Sequence, residues 1–419
     1  MGRPQRWSRP TFGSYGTTFH GGLENKLALN RKSYRIPHGH SGKSCDTLAN
    51  MPKLKRSLAI ILLISSALIA GTVVFAPQVP ILLREGFPSD VWDGTGRYAR
   101  VDGVQREAAR SVLTLPAAAQ TRFDDTGGRA MLVDQGGTLI LESYGQGFEP
   151  ADRLNSFSLV KSLVGALVIR ALADGRVASL DDPLELYLGP DAPDISILDA
   201  LTMTSGLLSD GEPPKSVDDA GFSPFGPLAR LHVFGTNAVL PELSVDPDAQ
   251  GQFAYQSVNT ALLGAILEVA YDQPLAPLLS ELIWKPAGAA DAEWRVHSES
   301  DGITAYCCLY ARPTDWLHVG RYLLNNGTLE APFLPDDLWR DFMRPDLAAS
   351  VRQEGTYGWH LRHDILDRDG ETLAGPFAYF MGHGGQMVYL LPDSDMVVVR
   401  FGERLQLLHS TLYELAPPT

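Results

Sequence analysis

A long helical pattern runs from Ser156 to Gly175 and reads SFSLVKSLVGALVIRALADG. Its residues are apolar nearly all round the helix, so the pattern predicts a buried helix rather than a surface one. Gly175 is typical of the position just past a helix end, because glycine enters the left-handed region without strain. We therefore expect a buried central helix that the other elements surround.

Two β-hairpins are predicted far apart in the chain. Ala130–Val133 and Thr138–Tyr144 flank the turn residues Asp134-Gln135-Gly136-Gly137, and Met387–Leu391 and Met396–Phe401 form the second pair of apolar runs. The edge strands of an isolated hairpin need hydrogen-bonding partners, so we expect both hairpins to join one antiparallel sheet.

The intervening sequence is mostly helical in pattern and predicts a lobe beside the sheet. The predicted helices are Gln105–Leu113, Ile197–Met203, Ser257–Tyr271, Ala276–Trp284, Asp315–Asn325 and, at the C-terminus, Leu405–Leu415. Gly358–His363 is predicted as a strand. Residues 208–250 contain six prolines and little periodicity, so we expect a long loop that forms part of a substrate rim.

The N-terminal region has a different character. Residues 1–56 are basic and without periodicity, and we expect them to be disordered and cytoplasmic. Residues 57–76 then carry no charge over a length that spans a bilayer. Because Lys53, Lys55 and Arg56 precede this run, the positive-inside rule predicts a single-pass signal anchor in a bacterial inner (cytoplasmic) membrane, with the following domain on the periplasmic side.

Three alternatives stay open for this region. The apolar run could be a buried core helix. It could also be a cleaved signal peptide, since Val74-Phe75-Ala76 fits a small-x-small cleavage site, although Pro77 would follow the cut. Met51 stands before the basic residues as an initiating methionine would, so residues 1–50 could lie outside the natural protein.

Charge separates the N-terminal region from the remainder. Residues 1–77 carry 11 Lys+Arg and 2 Asp+Glu, a net charge of +9, which leaves −23 for residues 78–419 out of the total of −14. An acidic body argues against nucleic acid as a partner. The remainder is long enough for one sizeable core, and we divide it into a lead-in over 77–119 and a domain over 120–419.

Cysteine and histidine positions give no sign of a metal site. Cys307 and Cys308 are adjacent, a spacing that rarely forms a disulfide, and Cys45 lies before the apolar run. His360 and His363 are expected to straddle a strand and to face solvent. We expect no metal and no cofactor.

Ser158 and Lys161 are the first candidates for chemistry. They lie three residues apart at the start of the central helix and therefore share one face of its first turn. A serine hydroxyl needs a base to become a nucleophile, and a desolvated lysine can serve. The alternative is an N-capping serine followed by a lysine that extends to solvent.

Two further stretches complete a pattern with Ser158-Leu159-Val160-Lys161: Phe253–Thr260, a loop entering a helix, and Gly382–Gln386, just before a strand. With them the chain resembles the serine hydrolases related to class C β-lactamases and serine DD-peptidases, a group that includes esterases and 6-aminohexanoate-dimer hydrolases. The resemblance covers residues 120–416. It implies an α+β fold, with an α/β lobe plus an all-α lobe and a β-lactamase/transpeptidase-like antiparallel sheet flanked by helices, here preceded by one transmembrane helix.

The resemblance also implies roles for individual residues. Ser158 would be the nucleophile of an acyl-enzyme. Lys161 and Tyr255 would share the acid and base roles, and the sequence does not divide these roles between them. The backbone N–H groups of Ser158 and Gln386 would form the oxyanion hole. The residues expected to bind substrate are Ser257, Asn259, His383, Gly384 and Gly385.

Two departures from the lactamase pattern narrow the expected function. Ser257 stands in place of the asparagine of Tyr-x-Asn, and His383 in place of the lysine of Lys-Thr-Gly. The resemblance therefore implies hydrolysis of a small amide or ester. The alternatives are a DD-peptidase or β-lactamase and a non-catalytic penicillin-binding-type sensor; the oligomeric state is not predicted.

Overall fold

The computed structural model describes residues 71, 74–86, 88–208, 224–343, 357–366, 375–404, 412 and 415. The basic segment 1–56 and nearly all of the apolar run 57–76 lie outside these residues, as do most of residues 208–223 and of the predicted helix Leu405–Leu415. No helix in the described part of the chain is long and apolar enough to cross a bilayer.

The helices and strands that position the site belong to residues 65–419. The strands in chain order are β1 (Tyr98–Val101), β2 (Ala109–Leu113), β3 (Gly128–Gln135), β4 (Thr138–Tyr144), β5 (Leu154–Asn155), β6 (Leu207–Leu208), β7 (Ser244–Val245), β8 (Ala292–Arg295), β9 (Leu309–Ala311), β10 (Tyr357–Gly358), β11 (Leu361–Leu366), β12 (Gly375–Gly382), β13 (Gln386–Leu391) and β14 (Met396–Gly402). The helices of eight residues or more are Gln78–Glu85, Ala117–Asp125, Val160–Ala173, Pro227–Phe234, Ser257–Tyr271, Pro313–Leu324 and Asp336–Met343.

The main sheet has the strand order β10-β11-β12-β13-β14-β3-β4-β2. It is antiparallel except where β2 pairs with β4. The first and second hairpins meet where β14 pairs with β3, with Val398 opposite Val133. This pairing confirms that the two hairpins belong to one sheet. A second sheet has the order β1-β8-β9-β5.

Both faces of the main sheet are buried, and successive residues of β14 contribute to opposite faces. Val397 and Val399 belong to the large core that includes the central helix, Val160–Ala173, whereas Val398 belongs to a second core with Phe123. This alternation follows from the two-residue period of a strand. The central helix is buried along nearly its whole length, as its apolar pattern predicts.

The prediction of a helix over Gln105–Leu113 is wrong, because the C-terminal half of this segment forms strand β2. Gln105 has a φ of +45°, outside the right-handed helical region. The N–H groups of Val104, Gln105 and Arg106 donate to the carbonyl oxygens of Ala289 and Gly288. The segment therefore obtains its hydrogen bonds from a neighbouring loop rather than from its own turns, which local pattern does not reveal.

Two other predictions are corrected in part. Residues 208–250 are not one loop, because their described portion contains the helix Pro227–Phe234 and the strand β7. Gly358–His363 is not one strand, because β10 and β11 are joined by a turn at Trp359 and His360. The other predicted helices in the described residues are present, and Ser257–Tyr271 has the predicted bounds.

Cys307 and Cys308 are joined in a disulfide, contrary to the sequence prediction. Consecutive side chains of an extended segment point to opposite sides. Cys308 has a φ of +67°, and this left-handed conformation interrupts the alternation, so the two sulfur atoms lie on the same side.

Candidate active site

Ser158 lies in a single 3₁₀ turn, Phe157–Leu159, that leads directly into the central helix. Phe157 has a φ of +44°, which is uncommon for a residue other than glycine. Its N–H donates to Asn155 Oδ1 over 2.9 Å. Backbone conformations of this kind concentrate at functional sites, where surrounding contacts hold them in place.

Lys161 reaches back from the next turn to the serine. Its Nζ donates to Ser158 Oγ over 2.9 Å and to the carbonyl oxygen of Tyr306 over 3.0 Å. The lysine is 2% exposed, and no carboxylate in the described part of the chain lies within ion-pair distance of it. A lysine that extends to solvent is therefore excluded, because this amine is held inside the protein against the serine hydroxyl.

Tyr255 completes the trio from the loop before the Ser257–Tyr271 helix. The Lys161 Nζ lies 5.0 Å from the centroid of the Tyr255 ring and 5.8 Å from that of Tyr306. The structure thus places Tyr255 beside Ser158 and Lys161, although it lies about 100 positions after them in the sequence.

The Gly382–Gln386 segment lies against the nucleophile from the sheet side. A methyl group added at Gly382 would sit 2.4 Å from the carbonyl oxygen of Ser156, so only glycine permits this approach. Gly384 and Gly385 follow with φ values of +73° and +81°. The central helix therefore begins at the boundary between the sheet and the helical lobe.

Gln386 is fixed by its own side chain. Its Nε2 donates to the Gly402 carbonyl oxygen over 3.1 Å, and its Oε1 accepts from the Gly402 N–H over 2.8 Å. His383 is exposed, and its ring meets Phe157 edge to face at 5.5 Å. A cavity of about 220 Å³ lies beside them, lined by Asp90, Arg129, Phe157, His383, Gly384, Gln386, Gly402 and Glu403.

The two polar residues expected to bind substrate after Tyr255 differ in place. Ser257 begins its helix and is 6% exposed. Asn259 is fully buried, and its Nδ2 donates to the sulfur of Met203 over 3.4 Å. In this conformation Asn259 has no surface with which to touch a substrate, because the loop carrying Met203 covers it.

His360 is buried rather than exposed, which corrects the sequence prediction. Its Nδ1 donates to the Leu201 carbonyl oxygen over 2.9 Å, and its Nε2 accepts from the Thr260 hydroxyl over 2.9 Å. Burial lowers the pKa of His360 to about 3, with a further lowering by the charge of Lys161. The neutral imidazole thus joins three segments next to the site.

Gly165 on the central helix explains why His360 is buried. A methyl group added at Gly165 would lie 2.5 Å from the Trp359 carbonyl oxygen. The β10–β11 turn therefore packs directly on the helix, and the Ser162 hydroxyl donates to the His360 carbonyl oxygen over 2.6 Å. His363, predicted to face solvent as well, is half-buried.

Tyr357 and Arg362 are site residues that the sequence interpretation missed. The Arg362 guanidinium carbon lies 5.8 Å from the Tyr255 ring centroid and 5.5 Å from that of Tyr357. Burial raises the pKa of Tyr357 well above its ordinary value, and the Tyr255 charge raises it further, whereas Arg362 opposes the shift. The aromatic run Tyr357-Gly358-Trp359 was the only sequence signal, and Arg362 had none.

The beta-lactamase family model matches residues 117–411. The chain belongs to the beta-lactamase family. As a member of it, the protein is a beta-lactamase-family serine hydrolase, and it has the α+β fold of that family.

Two solved structures and one curated relative are similar to this beta-lactamase-family chain. It is 26% identical over 306 residues to a 6-aminohexanoate-dimer hydrolase of Paenarthrobacter ureafaciens, covering 67% of this chain and 74% of that protein. A structure from Bacillus anthracis is provisionally described as a 6-aminohexanoate-dimer hydrolase. It is 18% identical with a TM-score of 0.62, and the match covers 76% of this chain and 89% of that protein. A penicillin-binding protein from Bacillus halodurans is 17% identical with a TM-score of 0.53, and the match covers 71% of this chain and 97% of that protein.

Proposed function

We propose that this beta-lactamase-family hydrolase cleaves an amide or ester bond of a small substrate through an acyl-enzyme on Ser158. The observation that carries the proposal is the 2.9 Å hydrogen bond between Lys161 Nζ and Ser158 Oγ. A base within hydrogen-bond distance of a serine is the arrangement that nucleophilic catalysis requires. Amide cleavage is further supported by the relative that hydrolyses 6-aminohexanoate dimer, since two amino acids join through an amide.

The reaction has two halves. Ser158 Oγ attacks the substrate carbonyl carbon while Lys161 takes the hydroxyl proton, and the leaving amine or alcohol departs with a proton delivered through Tyr255. Water then gives one proton to Lys161 and attacks the acyl-enzyme. The ester bond to Ser158 breaks, that proton passes to Ser158 Oγ, and the carboxylic acid leaves. Tyr255 is proposed for this role because the centroid of its ring lies 5.0 Å from Lys161 Nζ, which puts the side chain beside the reacting pair.

The developing negative charge on the carbonyl oxygen needs donors. The backbone N–H groups of Ser158 and Gln386 are the proposed oxyanion hole, and loss of one such donor costs about 2.7–4 kcal/mol in the barrier. The double hydrogen bond of the Gln386 side chain to Gly402 supports this assignment, because it fixes the backbone at that position. Ser257, His383, Gly384 and Gly385 would contact the substrate around it.

We also propose that residues 57–76 anchor the protein in a bacterial inner membrane with the hydrolase domain on the periplasmic side. The support is the uncharged run of bilayer length with basic residues on one flank only. No cofactor has a part in the proposed chemistry, because the serine, the lysine and the tyrosine supply every proton transfer.

The test is a substrate panel on the full-length protein. A p-nitrophenyl ester of a short acid should be turned over, Ser158→Ala should abolish turnover, and Lys161→Ala should lower kcat by about 10²- to 10⁴-fold. Lys285→Ala, at a half-buried lysine paired with Asp102, is the matched control. Nitrocefin and a D-Ala-D-Ala peptide in the same panel separate this activity from that of a β-lactamase or DD-peptidase. Wild-type turnover by Ser158→Ala would refute the proposal.

A further inference from the structure

The disulfide between Cys307 and Cys308 comes directly after a residue that holds the lysine of the site. The carbonyl oxygen of Tyr306 accepts a hydrogen bond from Lys161 Nζ over 3.0 Å. That oxygen belongs to the peptide group between Tyr306 and Cys307. Its position therefore depends on the backbone conformation of the disulfide-bonded pair.

The disulfide closes a small ring with the peptide bond between its two cysteines, and the backbone inside this ring cannot turn freely. Cys308 is held at a φ of +67°, a conformation that residues other than glycine seldom adopt. The Cys307 carbonyl oxygen accepts from Trp294 Nε1 over 3.0 Å and from the Thr304 hydroxyl over 3.1 Å. The ring and these hydrogen bonds together hold a conformation that two separate cysteines would seldom adopt.

The residue after the disulfide is fixed to the segment that carries the nucleophile. Leu309 donates its N–H to Ser156 Oγ over 3.0 Å, and its carbonyl oxygen accepts from the Ser156 N–H over 3.0 Å. Ser156 directly precedes the 3₁₀ turn that contains Ser158. Because Leu309 is fixed in this way, a change of conformation at the two cysteines is transmitted to their other neighbour, Tyr306.

We propose that the Cys307–Cys308 disulfide positions the Lys161 amine through the Tyr306 carbonyl oxygen, and that reduction of the disulfide slows acylation of Ser158. This inference rests on the proposed acyl-enzyme mechanism. When the ring opens, the carbonyl oxygen can move and the amine is no longer directed at the serine. Displacement of a catalytic group by about 1 Å can cost about 100-fold in rate.

The reductant in this proposal is a dithiol. Cys308 is fully buried and Cys307 is half-buried, so a thiolate of the reductant attacks the Cys307 sulfur, and the Cys308 sulfur leaves and takes up a proton. The second thiol of the reductant then displaces Cys307, which takes up a proton in turn. The reductant ends as its own disulfide, and the protein carries two thiols.

The experiment measures the reaction of Ser158 with a fluorophosphonate in the full-length protein, before and after reduction by dithiothreitol. Ser158 Oγ attacks phosphorus, fluoride leaves and Lys161 takes the hydroxyl proton, so the rate constant reports the position of the lysine. The final labelled fraction reports how much of the protein is folded. Alkylation of the thiols, followed by mass spectrometry, verifies the reduction.

Reduction should lower the rate constant by about 10- to 100-fold and leave the final labelled fraction unchanged, and reoxidation should restore the rate. The double variant Cys307→Ser/Cys308→Ser should react at the slow rate with or without dithiothreitol. Cys45→Ser, at the only other cysteine of the sequence, is the matched control. It should react at the wild-type rate and respond to reduction as wild type does.

Lys161→Ala tests the route of the effect. This variant is labelled slowly in any case, and because the disulfide acts through the lysine, reduction should not slow the labelling further. A disulfide that only stabilised the fold would slow the labelling of both proteins alike.

A rate constant that stayed within twofold after reduction would overturn the proposal. A smaller labelled fraction in place of a slower rate, or an equal effect of reduction in Lys161→Ala, would overturn it as well. Each of these results would leave the acyl-enzyme mechanism standing. Absence of any label on Ser158 in wild type would instead refute the proposed function, and this inference with it.

Discussion

At the scale of single residues, the site depends on Lys161. Its amine is held by the Ser158 hydroxyl, the Tyr306 carbonyl oxygen and the rings of Tyr255 and Tyr306. The Ser158 and Lys161 positions could be predicted from spacing, but that spacing alone also fits an exposed lysine. What decides between them is the 2% exposure of Lys161. Its burial depends on Tyr306, which no local pattern connects with the central helix.

His360 gives the residue scale a prediction about stability. Burial lowers its pKa to about 3, whereas an unfolded histidine titrates near 6.5. Between these values the unfolded chain binds a proton that the folded chain does not, so this contribution to stability is complete above pH 6.5 and is lost as the pH falls toward 3. The slope is up to about 1.4 kcal/mol per pH unit.

His360→Asn should remove this slope. We expect the free energy of unfolding, measured by urea titration at pH 4 to 7, to vary less with pH in the variant than in wild type. His363→Asn is the control, since the half-buried His363 has no comparable enclosure. Parallel pH dependence in wild type and His360→Asn would contradict the structural role of a neutral His360.

At the scale of elements, strongly periodic segments were predictable and segments held by distant partners were not. The helix Ser257–Tyr271 has its predicted bounds because its apolar pattern is long and Asp272 ends it in a left-handed conformation. The helix predicted from Gln105 is absent because the N–H groups of this segment donate to a loop near Ala289. The β10–β11 turn was not predicted because its conformation depends on packing against Gly165.

Gly165 is therefore the element-scale test. Gly165→Ala would favour the isolated helix but would place a methyl group 2.5 Å from the Trp359 carbonyl oxygen. We expect net destabilisation of about 1–3 kcal/mol and a lower kcat, because the displaced turn carries Tyr357 toward or away from Tyr255. Thermal unfolding and ester turnover are the measurements.

The matched control is Gly302→Ala, where the added methyl group would meet its nearest neighbour at an ordinary 3.4 Å. It should change neither stability nor turnover appreciably. If Gly165→Ala behaved like this control, the close packing of the turn on the central helix would not matter to the site.

At the scale of the whole molecule, pairing of the two hairpins is the feature that sequence logic anticipated best. Each hairpin alone would leave edge strands without hydrogen-bonding partners, and β3 and β14 pair with each other. The assembly of the active site could be predicted only through the family resemblance, because Ser158, Tyr255 and Gly382 come from separate parts of the chain. The Arg362 position, with no motif around it, could not be predicted at all.

The proposed anchor also belongs to this scale. Deletion of residues 57–76 should move the protein from the membrane fraction to the supernatant after cell lysis and ultracentrifugation, because the uncharged run supplies the apolar area that holds it in lipid. Replacement of the run by 20 leucines and alanines should restore membrane association. A deletion variant that still sediments with membranes would contradict the proposal.

The central claim is that Ser158 becomes acylated during turnover. The most direct measurement is intact-protein and peptide mass spectrometry after rapid acid quench of the full-length protein with p-nitrophenyl butyrate. We predict a mass increase of one butyryl group, about 70 Da as a serine ester exchanges its hydroxyl hydrogen for the acyl group, located on Ser158 and absent in Ser158→Ala. Turnover with an adduct on another residue, or an adduct that persists in Ser158→Ala, would contradict the mechanism.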